Sequence, residues 1–144
     1  MWRKGLIALT LSGVMLTHAA FADIQHVLAF QYKTGVNDAT QAQIAQELIG
    51  LQDRALRDGR PYIVSIVGGR AVSKEGLDRH LQWIFIVTFQ TEADRDFFVG
   101  PPYRKAMDPA HEALAKRVVP LLEADAAGKP SGLFVFDFET SGQR

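Results

Sequence analysis

Two histidines stand out because of their surroundings. His26 lies in the run Ile24 to Lys33, where Ile24, His26, Leu28, Phe30 and Tyr32 recur at period two and so share one face of a strand. His111 lies in the stretch "DPAHEAL" and shares helical spacing with Leu114, Val118, Leu121 and Leu122, so it points toward a core or a pocket. An imidazole exchanges protons near neutral pH, which suits it to general acid/base work. His111 also sits in the first turn of its helix, where the helix dipole disfavours added positive charge and keeps the ring fit to accept a proton. The plainer reading of both is a ring that packs and hydrogen-bonds. Converging histidines can also bind a metal, but no third ligand stands at a usable spacing. Nothing in the pattern is specific to haem. The sequence predicts no metal site and no cofactor.

Around these histidines stands a heavy aromatic load: Phe30, Tyr32, Trp83, Phe85, Phe89, Phe134, Phe136 and Phe138. Such a set forms a plain core or the wall of an apolar cavity. Tyr103 and Arg104 follow Gly100-Pro101-Pro102, where either a rim or an exposed connector would sit. The candidate pocket is therefore His26, Phe30, Trp83, Phe85, Tyr103 and His111, with His111 as the candidate base. Arg70, Lys74, Arg79 and His80 read as solvated loop residues rather than an anion site.

The elements that must position these residues follow from periodicity. Ile24–Lys33 is a strand. Asn37 or Asp38 caps a helix of about five turns, on which Ile44, Leu48, Leu51 and Ala55 form the apolar stripe, helped by Ile49 and Leu56. Gly59 is expected to cap its end and Pro61 to block continuation. Tyr62–Val67 is a β-branched strand, and Gly68-Gly69 marks a bulge or a close backbone approach. Leu81–Phe89 is the strongest strand signal, apolar on both faces. Thr91 caps a helix that "GPPY" breaks. Asp108 caps the next, with Pro109 at its first position, where a missing amide costs nothing, and Pro120 bending or ending it. Leu133–Glu139 is the last strand. The order β-α-β-β-α-β is the ferredoxin-like, split β-α-β pattern of an α+β fold. A sheet that is apolar on both faces calls for a second layer, most simply a second copy of the chain related by two-fold symmetry.

The first 22 residues stand apart. Arg3 and Lys4, an apolar run from Gly5 to Leu16 and the triplet Ala20-Phe21-Ala22 have the layout of a secretory signal peptide. The run is short of the roughly 20 residues that span a bilayer. Cleavage after Ala22 would leave a domain at residues 23–140 and a short tail at 141–144, placed in a periplasm or secreted, with no membrane attachment. Without Arg3 and Lys4, 14 of the 16 basic residues remain against 16 acidic, which suggests neither nucleic acid nor anionic membrane as a partner. With no cysteine, stability must come from packing, including any partner subunit.

The stretches "HVLAFQYKTGV", "VSKEGLDRH", "FIVTFQTEADRDFF", "DPAHEALAKRVVPLLE" and "FVFDFE", taken in order, resemble the stress-responsive dimeric α/β-barrel domain family. The resemblance implies a homodimer that pairs through its sheet faces, with a cavity between sheet and helices in each subunit. In some plant members, the olivetolic acid cyclases, a tyrosine and the last histidine of an "HPAH" motif close a ring without a cofactor. His111 matches that histidine, and His26 matches a pocket histidine of the first strand. Asp108 stands in place of the motif's first histidine, Lys105 at the tyrosine's position, and Trp83 in place of a third-strand histidine.

Three functions stay open on these residues. The first is an exported domain that binds a small apolar or aromatic molecule in the cavity. The second is a cofactor-independent lyase or cyclase with His111 as base and His26 or Tyr103 as its orienting partner. The third is a structural homodimer without a ligand.

Overall fold

The computed structural model describes residues 23–140. The expected signal peptide and C-terminal tail lie outside the described residues. The main sheet has four antiparallel strands in the order β4-β5-β1-β6, formed by β1 (Ile24–Phe30), β4 (Ile63–Arg70), β5 (Trp83–Phe89) and β6 (Leu133–Glu139). With the helices between them, this is the ferredoxin-like α+β topology. The central strand β1 pairs His26 with Val87 on one side and with Asp137 on the other.

The alternation in each strand decides which face is covered. Ile24, His26, Leu28 and Phe30 of β1 are buried, as are Phe85, Val87 and Phe89 of β5. Against them pack Ile44 and Leu48 of α1 (Asp38–Ile49), Phe98 of α3 (Glu92–Val99), and Leu114 and Val118 of α4 (Pro109–Val118). Each such side chain contributes roughly 1.5–3 kcal/mol when fully buried.

The opposite face carries Phe134, Phe136 and Phe138, all substantially exposed, beside Ile84 and Val67. The eight aromatic residues therefore do not share one cavity wall. In β6 the phenylalanines occupy the outer register and Leu133, Val135 and Asp137 the inner one, because successive side chains alternate across the sheet.

Several boundaries differ from those the periodicity suggests. β1 ends at Phe30 rather than Lys33; Tyr32 keeps only an isolated bridge to Leu122. The first helix is capped by Asn37, whose side chain accepts from the Thr40 amide, and it ends at Ile49; Leu51–Arg54 forms a short α2. Ile49 and Leu56 are exposed and add nothing to the buried stripe.

Gly59 is not a helix cap. Asp58 and Gly59 both have positive φ and make the two-residue turn between β2 (Leu56–Arg57) and β3 (Arg60–Pro61). Asp-Gly is the pair such tight hairpins favour. The strand after it runs on through Gly68 and Gly69 to Arg70, and the register shift falls at Ile63/Ser65. Gly68 is a close approach: a Cβ there would lie 2.2 Å from Cδ1 of Phe85.

The elements that carry His111 follow the expected grammar. Thr91 caps α3, accepting from the Asp94 amide, and Gly100 ends it. The Asp108 carboxylate accepts from the Ala110 and His111 amides, with Pro109 in the first turn. Pro120 lies in the 3-10 turn Val119–Leu121 that terminates α4.

Candidate functional site

His26 is fully covered, at 3% exposure, in the middle of β1. Its Nδ1 lies 2.5 Å from Oδ1 of Asp137 on the neighbouring strand. The other carboxylate oxygen, Oδ2, accepts from Nη1 of Arg95 on α3. Arg95 is itself largely buried, donates Nε to Asp96 and lies over the Tyr103 ring, 4.1 Å from its centroid. The row Tyr103–Arg95–Asp137–His26 thus links the connector after α3 to the sheet.

His111 arrives from the helix side. The Asp108 cap fixes its backbone, and Asp108 is itself held by the Tyr62 hydroxyl, which donates to Oδ2 at 3.1 Å. The His111 Nδ1 donates to the carbonyl of Phe98 at 2.9 Å. The ring stacks on the Phe98 ring with centroids 3.9 Å apart and planes 7° from parallel. Phe98 also meets His26 edge to face at 6.0 Å. One buried phenyl therefore touches both imidazoles.

Burial lowers the His26 pKa below the ordinary histidine value, outweighing its hydrogen bond to Asp137. Burial lowers that of His111 too, against its hydrogen bond to the Phe98 carbonyl. Desolvation penalises the charged ring in each case. Both are neutral bases near pH 7.

The two histidines line the same cavity, of about 230 Å³, between the inner sheet face and α4. Phe30, Leu28 and Val135 come from the sheet; Leu114, Ala115 and Val118 from the helix; Pro101 and Met107 from the connector. Apart from the histidines the lining is apolar. Neither imidazole Nε2 has a hydrogen-bond partner among the described residues. The site can therefore hold a small, mostly apolar molecule and meet it with two nitrogen lone pairs. Among the described residues no three histidine, cysteine or carboxylate side chains come together to hold a metal ion.

The structure brings together His26, Phe30 and His111 from the expected pocket and leaves out the other three. Trp83 lies at the far end of β5, where its Nε1 donates to Gln41 and its ring stacks on Phe85. Phe85 is sealed in the core beneath Gly68, with no exposure. Tyr103 is exposed on the connector and packs on Arg95, outside the cavity. Asp137 and Arg95 were not among the expected residues. The signal for Asp137 is in the alternation of "FVFDFE": an acid on the face opposite three phenylalanines must point inward. Nothing in the sequence singles out Arg95.

Comparison with known proteins bears on the fold and its family. The family model described as Stress responsive A/B Barrel Domain matches residues 24–140. Among solved structures, a hydroxynitrile lyase from Passiflora edulis is similar, with 18% identity, a TM-score of 0.64, and 86% of this chain and 98% of that one covered. A dimeric ferredoxin-like protein from Jannaschia sp. has 18% identity and a TM-score of 0.62, with 82% and 99% covered. A Dabb family protein with a ferredoxin-like fold from Mesorhizobium loti has 17% identity and a TM-score of 0.56, with 84% and 99% covered. No curated protein sequence matches the chain.

Proposed function

The chain belongs to the stress responsive A/B barrel domain family, and from that premise we propose that it is an exported domain that binds a small apolar or aromatic molecule in the cavity between its sheet and α4. The observation that carries this reading is the cavity itself, about 230 Å³ of apolar space into which two neutral histidines open. That volume lies just below the roughly 300–1,000 Å³ of sites for drug-sized ligands, so the ligand is about the size of one substituted ring.

Two copies would pair through the outer sheet face, where Phe134, Phe136 and Phe138 lie exposed beside Ile84 and Val67. The apolar start of the chain would direct it to a periplasm or beyond.

Mass spectrometry of small molecules released from the exported protein tests the reading. Ala115 lines the cavity, and Ala115→Phe would fill it. A bound apolar molecule is expected from the wild type and not from the filled variant. Identical release from both, or a wild type that takes up no ring-sized probe at millimolar concentration, would remove the ligand reading.

One observation favours a second function. His111 is a neutral imidazole fixed at Nδ1 by the Phe98 carbonyl, with Nε2 unpartnered among the described residues and so able to take a proton, and the similar structure from Passiflora edulis is a lyase. On this reading the cavity carries out cofactor-independent proton abstraction, with His111 as base and His26 orienting the substrate. Tyr103 does not reach either ring and takes no part. Turnover that is lost in His111→Ala, with ligand uptake retained, would establish it.

A further inference from the structure

Resting on the ligand reading above, we propose that the cavity accepts hydrogen bonds and donates none, so that its ligand is a neutral hydrogen-bond donor such as a phenol or an alcohol. Each histidine is tied at Nδ1 to a group that can only accept. The partner of His26 is the Asp137 carboxylate, and that of His111 is the Phe98 carbonyl. In both rings Nδ1 therefore carries the proton, and in a neutral imidazole Nε2 is then a bare lone pair. The remaining lining side chains, among them Leu28, Leu114, Val118 and Met107, offer no polar hydrogen. A ligand carbonyl or ether oxygen would meet two lone pairs and find no donor. A carboxylate would meet them with its own negative charge. A hydroxyl satisfies at least one and leaves the rest of its ring among apolar walls.

Asp137 is the positioning residue for this preference, and Arg95 determines what its replacement would do. Arg95 only donates, and it points Nη1 at Oδ2 of Asp137. In Asp137→Asn the side-chain oxygen must therefore turn to Arg95, leaving the amide NH2 to face His26. The amide would donate to Nδ1 of His26, and the imidazole proton would move to Nε2. That variant converts one acceptor of the cavity into a donor without changing its shape.

Imidazole 15N NMR of the wild-type protein near pH 7 reads the tautomers directly. The protonated nitrogen is expected to be Nδ1 in both His26 and His111. Phenol and anisole, matched rings with and without a donor, read the consequence in calorimetric titrations. Phenol is expected to bind roughly tenfold tighter than anisole, about the worth of one net hydrogen bond. Asp137→Asn should shift the His26 proton to Nε2 and lower the phenol-to-anisole ratio by a similar factor, and Asp137→Glu should restore it. A wild-type His26 or His111 with its proton on Nε2, or anisole binding as tightly as phenol, overturns the proposal. If neither probe binds while both tautomers are as stated, the acceptor-only cavity stands and the ligand reading of the previous subsection falls.

Discussion

Burial holds the His26 and His111 imidazoles below the ordinary histidine range, and each does so against a hydrogen bond that pulls the other way. The consequence for stability has a definite sign. An unfolded chain takes up these protons as pH falls through 6.5, while the folded chain resists. The unfolded state then binds more protons, so stability is complete above that value and is lost as pH falls below it. Denaturant midpoints should drop between about pH 7.5 and pH 5.5, a range above most carboxylate titration. The double variant His26→Phe, His111→Leu should lose most of that slope. A flat wild-type profile would show that the rings are not held neutral by the fold. Both histidines were legible in the sequence because each interrupts an apolar periodicity. Their partners were less so, since the pairing of Asp137 with His26 depends on the β1–β6 register and that of Arg95 on where α3 crosses the sheet. Trp83 and Phe85 lie on the same strand face as the core, but alternation does not say which end of a face opens into a cavity.

At the scale of the element, Asp108 and Gly68 carry the most weight for the site's geometry. The Asp108 carboxylate serves the Ala110 and His111 amides and the Tyr62 hydroxyl at once, with 1% exposure. Asp108→Ala should cost about 2 kcal/mol, a lost cap together with an orphaned hydroxyl, measured by urea denaturation. It should weaken ligand uptake as well, because the first turn of α4 sets the His111 position. A loss within error of zero would mean the cap does not hold the helix start. Gly68→Ala drives a methyl group into the Phe85 ring, and overpacking of this kind costs about 1–3 kcal/mol. Helix starts were readable because caps are local chemistry: Thr91, Asp108 and Pro109 declare themselves within a few residues. The Asp58-Gly59 hairpin was not, since a helix pattern ran directly into it and a glycine after a helix is ordinarily its end.

For the whole molecule, the outer sheet face is the feature left exposed among the described residues. Exposed Phe134, Phe136 and Phe138 form a row along β6, and pairing of two such faces would complete the barrel. Phe136→Glu places a charge in that row. Sedimentation should find the wild type as a dimer and the variant as a folded monomer; a monomeric wild type at micromolar concentration would contradict the barrel. The order β-α-β-β-α-β and the apolar outer face were both visible in the sequence, because each follows from patterning alone. The cavity was visible only as an excess of aromatic residues, and of that set only Phe30 lines it, the others packing in the core or lying on the outer face. The central claim is that the space between sheet and α4 receives a small ring through its histidines. Crystals grown with saturating phenol test it most directly. The expected result is a ring in that cavity with its hydroxyl within about 3.2 Å of an Nε2 of His26 or His111. An empty cavity at saturating phenol, or a ring bound only at the outer surface, would contradict it.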